Sequence, residues 1–460
     1  MSTTVPIAPN ATRAPLLDAA AGDELRALLA PVTLETFVRD YWARRPLFVK
    51  GFPEKYTGFF SREMFIRALA QPGPASPDFL RASFDKAGGA RATSPPRDAT
   101  ELATSAFNAT PEQAVPLFKA GATLCANQME VRVPALAAFV GAVKRQLGYP
   151  GRVSFNAYLS PPRTGFNWHW DGRIASTLQI EGTKRWRFSN SSPVSWPRGN
   201  GALRADGSGY YVDGRPSAPW EEFPRFDEQD TTEVLLEPGD LLVLPAGVWH
   251  DACGGDGGSL ALNLSFTPVS FTVLVRELLD RLLSSDAGWR GSAPVLPLPG
   301  GPPGEVDLSG LAAIKAQLTR AADALRSMAA DDVEMVALWS SFVQATGLPP
   351  RDNRAPDAAP VAPGDRLRIR ADRDVYARLA DGGTRLCVFV GTGGRVDATG
   401  SELRLIQRIL ANETFVAGDC VAWMRSDAST PFTWDHASPT LTELLRQGVL
   451  ERLVPIETTA

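Results

Sequence analysis

Residues 165–188 read Gly165-Phe-Asn-Trp-His169-Trp-Asp171-Gly-Arg-Ile-Ala-Ser-Thr-Leu-Gln-Ile-Glu-Gly-Thr-Lys184-Arg-Trp-Arg-Phe188, and their alternation decides the fold. Successive side chains of an extended chain point to opposite faces, so His169 and Asp171 share one face. Lys184, Trp186 and Phe188 share a face in the same way, with Arg185 and Arg187 on the other. A lysine on the aromatic, inward face requires an anionic partner, because burying a bare ammonium is very costly. Ser176 to Glu181 and Lys184 to Phe188 are expected to be two strands joined by a turn at Gly182.

Working outward, the period of two continues on both sides. Val153 to Leu159 alternates and is closed by Pro161-Pro162. Val234 to Leu236, Leu241 to Leu244 and Ser259 to Phe266 supply further strands, with Glu237-Pro-Gly-Asp240 as a turn. Several short strands without intervening helices predict a barrel or sandwich. His250 follows Pro245-Ala-Gly-Val-Trp249 in this region. The chain holds only three histidines, His169, His250 and His436, and two of them fall here. Two imidazoles and a carboxylate on one side of a metal leave the opposite positions open, as non-haem iron(II) oxygenases require. His-x-Asp alone arises often by chance. The downstream histidine in a His-poor chain, and Lys184, give the pattern its weight. His436 is expected in a loop before the last helix, as a surface or packing residue.

The flanks are helical. Thr33 caps a helix over Leu34 to Ala43, Thr110-Pro-Glu-Gln113 has the form of a capping box, and Pro134 to Leu147 is amphipathic. Gln71 to Pro96 is expected to be loop. After Phe271 come three helical stretches, Thr272 to Ser284, Leu308 to Met328 and Asp331 to Thr346. A Pro-rich linker then leads to a small α+β unit with strands at Arg366 to Arg370 and Arg385 to Val390. Its helices are placed at Glu402 to Ala411 and Leu441 to Gly448. With 460 residues, two to four units are expected. No apolar run approaches the roughly 20 residues of a membrane helix, and the N-terminus lacks a secretory layout. Four scattered cysteines without a CxxC pair indicate reduced thiols and a cytoplasmic setting. A net charge of −4, from 47 basic and 51 acidic residues, argues against nucleic acid as a partner.

The run from Asn156-Ala-Tyr158-Leu-Ser-Pro-Pro through His169-Trp-Asp171, Leu178-Gln-Ile-Glu-Gly-Thr-Lys184-Arg-Trp-Arg and Glu237-Pro-Gly-Asp to Val-Trp-His250 resembles the JmjC hydroxylases. Within them it is most similar to the ribosomal oxygenases. Asp40-Tyr-Trp-Ala-Arg-Arg-Pro46 is similar to an N-terminal signature of that group. The resemblance implies an α+β chain with three parts. Residues 1–270 would form a JmjC/cupin double-stranded β-helix (jelly roll) with a helical N-terminal part. Residues 271–350 would be a helical dimerisation region, and 364–460 a winged-helix-like domain. His169, Asp171 and His250 would be iron(II) ligands, Asp171 as ligand and not as base. Lys184 would pair with the far carboxylate of 2-oxoglutarate. Asn156, Tyr158, Asn263 and Ser265 would line the co-substrate or target pocket. The chain departs from the family at Gly172-Arg173-Ile174-Ala175-Ser176, where an acidic residue and a bulky apolar stretch are usual. Its segment Asn190 to Thr232 is also longer.

The implied reaction consumes 2-oxoglutarate and dioxygen, releases succinate and carbon dioxide, and puts one oxygen into a nearby C–H bond. The segment Trp220 to Glu237 carries seven acidic residues against Arg225, which would suit a basic peptide such as a ribosomal protein segment. A homodimer paired through the long helices is expected. The last helix has only Arg446 as a base, too little for DNA recognition. Other readings stay open: a tailoring hydroxylase of a natural-product peptide or small molecule, a demethylase of N-methyl-lysine, and a non-catalytic cupin scaffold.

Overall fold

The computed structural model describes residues 4–5, 14–19, 23–71, 78–84, 107–192, 194–204, 206–212, 222–285, 287–292, 309–346, 359–370, 375–390, 394–412, 414–424 and 431–453. The chain divides into two compact units, Met1–Thr267 and Pro268–Ala460.

The first unit begins with β1 (Thr4–Val5), α1 (Glu24–Leu29) and α2 (Leu34–Thr36), which runs into a π turn at Phe37–Tyr41. The Thr33 hydroxyl caps α2 by accepting the Thr36 N–H at 3.1 Å. Then follow β2 (Leu47–Val49), α3 (Arg62–Ala70), β3 (Leu80–Ser83), β4 (Phe107–Asn108), α4 (Pro111–Lys119), β5 (Thr123–Ala126) and α5 (Pro134–Leu147). The stretch expected to be loop thus holds β3, which gains its hydrogen bonds by pairing with β5. Residues 72–77 and 85–96 of that stretch lie outside the described residues. The jelly-roll strands are β6 (Arg152–Ser160), β7 (Gly165–Trp170), β8 (Ile174–Ser189), β9 (Gly201–Leu203), β10 (Gly209–Tyr211), β11 (Thr231–Leu236), β12 (Leu241–Leu244) and β13 (His250–Thr267).

Two long strands organise the unit. The first half of β8 pairs with β12, and its second half, from Lys184 on, pairs with β11. Strand β13 follows β8 along both halves, adding β6 at its C-terminal half and β7 at its N-terminal half. Each long strand therefore crosses from one sheet to the other. The expected turn at Gly182 is not there: β8 is continuous from Ile174 to Ser189 and bends at Gly182, whose φ is 65°. The ladder opposite is interrupted between Gly254 and Ser259, as at a corner where a sheet folds over. A Cβ on Gly182 would lie 2.2 Å from the Gly258 carbonyl oxygen. Gly182→Ala therefore combines a left-handed backbone with a clash, and should cost about 2 kcal/mol or more. The check is thermal unfolding, with an expected fall of about 4–8 °C.

The Glu237–Asp240 turn is held by the buried Asp240 carboxylate, which accepts N–H groups of Gly51 and Glu237 at 2.8 Å and the Lys50 ammonium at 3.0 Å. Helix α5 covers the back of β6, where Phe139 and Phe155 lie 5.9 Å apart and both contact Phe59.

The second unit contains α6 (Phe271–Ser285), α7 (Ser309–Ala329), α8 (Asp332–Ala345), β14 (Arg366–Ile369), β15 (Val375–Ala380), β16 (Arg385–Val390), β17 (Gly394–Thr399), α9 (Gly400–Leu410), β18 (Thr414–Val416), α10 (Asp419–Met424), α11 (Trp434–Arg446) and β19 (Leu450–Arg452). Its strands form two sheets, ordered β18-β14-β19 and β15-β16-β17. Val343 of α8 packs with Tyr376, Cys387 and Phe389 of the second sheet. His436 is not in a loop. It is the third residue of α11, and its Nδ1 accepts the Thr433 N–H at 3.1 Å. An imidazole there replaces the usual Glu or Gln of a capping box, and Pro439 in the second turn masks the helix start. Among the described residues no helix is long and apolar enough to cross a membrane.

Candidate metal centre

His169 lies on β7, Asp171 just beyond its end, and His250 opens β13. The antiparallel register sets His169 directly opposite His250, and their rings are 4.2 Å apart between centroids. One donor atom from each of His169, Asp171 and His250 falls within 4.8 Å of the others. Each imidazole is fixed by its inner nitrogen. His169 Nδ1 bonds the Asn167 carbonyl oxygen at 2.7 Å, and His250 Nδ1 bonds that of Val248 at 2.9 Å. Carbonyl oxygens only accept, so both Nδ1 atoms carry hydrogen and both Nε2 lone pairs are free for a metal.

The electrostatics suit a cation. Burial, and then the neighbouring His169, push His250 down to about 4, so it is neutral. Burial would raise the Asp171 carboxyl, but Arg173 and then the two imidazoles outweigh it and hold the group below its usual range. The donor set of two imidazole nitrogens and one carboxylate therefore fits a divalent ion that keeps open positions. Next to His250, the buried Asp251 takes a two-pronged bond from Arg187 at 3.1 and 2.6 Å, and Arg187 also lies over the Trp168 ring. This pair fixes the start of β13.

The three residues line a cavity of about 170 Å³, room for about half a dozen waters. The sheet of β7, β11 and the far half of β8 contributes His169, His250 and Lys184. The other sheet contributes Thr177, Tyr158 and Asn263. Lys184 is 2% exposed and has no salt bridge among the described residues. Its ammonium sits among the rings of Tyr158, Trp186 and Phe166 at 5.4, 5.6 and 5.8 Å, and burial brings it down to about 8. Below that pH the side chain is charged and available to an anion; above it the proton is lost. Affinity for a dicarboxylate such as 2-oxoglutarate should be full below pH 8 and fall about tenfold by pH 9. Calorimetric titration across pH 6.5–9.5 checks this, and Lys184→Arg should flatten the profile.

Asn156 and Ser265 are buried but do not line the cavity. The Asn156 carbonyl oxygen accepts the N–H of Gln128, a residue with a left-handed backbone, at 3.2 Å. Ser265 donates to the Ser154 carbonyl at 3.2 Å. Their polar atoms serve the wall, because the deeper end of the sheet must satisfy backbone groups with no water at hand. Asn263 does line the cavity, with its buried Oδ1 unbonded among the described residues.

Among the lining residues that the sequence reading did not assign to the site are two arginines. Arg173 lies two residues beyond Asp171, in the bend between β7 and β8. Arg81 sits on β3, inside the stretch taken for loop, and carried no signal. Three carboxylates of the acidic segment pair within the chain. Glu228 and Glu233 pair with Arg187 and Arg185 at 2.8 and 3.1 Å, Glu237 with Lys50 at 2.5 Å, and Asp230 takes an Asn190 amide at 3.1 Å. Trp220 and Glu221 lie outside the described residues. Among the lining residues Asp171 is the only carboxylate.

Residues 142–274 match the JmjC domain family. YxbC of Bacillus subtilis is 27% identical over 268 residues, covering 58% of this chain and 77% of that protein. Ribosomal oxygenase 1 of Gallus gallus is 29% identical over 257 residues, covering 53% of this chain but only 37% of its own length. The chain thus spans most of YxbC but little more than a third of the ribosomal oxygenase. The structure of YcfD, a ribosomal oxygenase from Escherichia coli, in complex with cobalt and 2-oxoglutarate shares the fold at TM-score 0.52 and 14% identity, over 92% of this chain and 99% of that one.

Proposed function

The chain carries a JmjC domain over residues 142–274, and from that premise we propose that it is an iron(II)- and 2-oxoglutarate-dependent oxygenase hydroxylating a side chain of a protein or peptide. The observation that carries this reading is the convergence of His169, Asp171 and His250 with Lys184 on one cavity. Iron(II), 2-oxoglutarate and dioxygen together supply insertion of one oxygen into a C–H bond, the other leaving in succinate as carbon dioxide is released.

The residues have separate tasks. His169 and His250 offer their Nε2 atoms because Asn167 and Val248 hold the other nitrogens. Asp171 stays ionised beside Arg173 and serves as ligand. Lys184 neutralises the far carboxylate of 2-oxoglutarate, its direction set by the three rings around it. Those rings also keep water from the co-substrate and strengthen the ion pair. Asn263 offers its unbonded amide to the co-substrate or target.

The target we favour is a ribosomal protein, on the strength of what the relatives are called. Intact masses of all ribosomal proteins from a strain with this gene and one without it test this. One protein losing a single oxygen's mass on deletion supports the reading. If none shifts, a tailoring hydroxylase takes its place.

For the second unit, we infer a helical pairing surface and a winged-helix-like region that does not bind DNA. Phe271, Val273, Val275, Ile314 and Leu318 leave large apolar surface exposed on α6 and α7, which supports a homodimer. The one base of α11, Arg446, is bonded to Glu443 at 2.7 Å. Reduced cysteines in both units support a cytoplasmic setting.

A further inference from the structure

The cavity wall holds more positive charge than the proposed cofactors can neutralise. Its charged side chains are Asp171, Lys184, Arg173 and Arg81. A divalent metal on two neutral imidazoles and Asp171 leaves one positive charge. The 2-oxoglutarate dianion turns that into one negative charge, and Lys184 brings the sum to zero. Arg173 and Arg81 then remain, two permanent cations without a counter-charge among the described lining residues.

The fold brings the two guanidinium groups together. Arg81 is opposite Cys125 in the β3–β5 register, and Cys125 is opposite Tyr158 in the β5–β6 register. Arg81, Cys125 and Tyr158 therefore form one cross-strand row on the cavity side. Arg173 reaches the same place from beyond β7, close enough to act electrostatically on Asp171, Tyr158 and Cys125. Neither guanidinium makes a side-chain hydrogen bond or a salt bridge among the described residues. Arg173 comes two positions after a proposed metal ligand, so the group it serves lies next to the reacting centre. A half-buried guanidinium with unused donors is costly unless an acceptor arrives. None of the acidic segment's carboxylates is among the lining residues, and Glu228, Glu233 and Glu237 pair with Arg187, Arg185 and Lys50.

We infer that Arg173, with Arg81, is a carboxylate clamp, and that the substrate side chain presented to the metal is acidic, an aspartate or glutamate within a peptide. This rests on the oxygenase reading above and deepens it. A planar guanidinium meets a carboxylate through two parallel hydrogen bonds, so the clamp fixes both the charge and the orientation of the target. The target carbon then lies within one or two bonds of the held carboxylate. An arginine or lysine side chain entering this cavity would meet two like charges.

The experiment uses the full chain loaded without oxygen with Mn(II) and 2-oxoglutarate, dialysed against an equimolar pool of pentapeptides. The peptides differ only at the central residue: Glu, Asp, Gln, Asn, Arg, Lys or His. Mass spectrometry of the retained fraction gives relative affinities. The acidic members should be enriched at least about tenfold over their amide isosteres. Arg81→Gln should remove that preference while 2-oxoglutarate and Mn(II) affinities stay within twofold, and Arg173→Gln should remove it as well. The inference is overturned if the wild type does not distinguish Glu from Gln or prefers a basic member. It is also overturned if Arg81→Gln weakens 2-oxoglutarate or Mn(II) binding in step, which would make that arginine a support for the co-substrate or the metal. A wild type that binds neither Mn(II) nor 2-oxoglutarate contradicts the oxygenase reading itself and is read from a separate titration.

Discussion

Replacing His250 with alanine abolishes metal binding and turnover. The residue opens β13 directly opposite His169, is 4% exposed, and has its Nδ1 fixed by the Val248 carbonyl. No other histidine among the described residues of the first unit can take its place. Changing the partners that merely orient a ligand costs 10- to 100-fold in metal affinity or activity in metalloenzymes, so losing the ligand should cost at least about a hundredfold. Anaerobic titration with Fe(II) or Co(II) measures the binding, and succinate formation measures turnover. The fold should survive, because the imidazole is held by one hydrogen bond and the wall on either side by β8 and β7. Unchanged metal affinity would remove His250 from the site.

Lys184→Ala gives the second large effect, and it falls on the co-substrate. The ammonium is buried among three rings, with no carboxylate to match it among the described residues. Truncating one partner of a buried charge pair costs about 2–5 kcal/mol, which is about thirtyfold or more in affinity. The Kd of 2-oxoglutarate should rise by that factor while Mn(II) affinity stays near wild type, since Lys184 touches no proposed ligand atom. A methylene stem in the same place keeps the packing, so Lys184→Met is the companion variant. It should lose the dicarboxylate as the alanine does, with less loss of stability. Equal 2-oxoglutarate affinity in both variants and the wild type would show that another cation holds the acid.

The centre of this structure was legible in sequence for a definite reason. Strand periodicity of two puts His169 and Asp171, and Lys184 and Trp186, on common faces without knowledge of the fold, and the scarcity of histidine left few candidates. Pairing between distant strands is not written so locally. Arg81 enters the cavity only because β3 pairs with β5 and β5 with β6, a register that a Pro- and Gly-rich neighbourhood conceals. Gly182 was read as a turn because glycine with positive φ serves turns and bent strands alike. Only the pairing of β8 with β13 on both sides distinguishes them. The acidic segment shows a third limit: charge in sequence says nothing about pairing, and Arg185, Arg187 and Lys50, which pair Glu233, Glu228 and Glu237, lie far from it along the chain. His436 shows the same limit on a small scale, where a proline in the second turn hid a capped helix.

The most direct test of the central claim is conversion of 2-oxoglutarate by the purified full chain. Protein loaded with Fe(II) without oxygen is mixed with 2-oxoglutarate labelled at C1 and exposed to dioxygen, and labelled carbon dioxide and succinate are counted. The account predicts both products in equal amounts, dependent on Fe(II), and reduced to background in His250→Ala and Asp171→Ala. Absence of succinate from the iron-loaded wild type, or undiminished yield from those two variants, would contradict it.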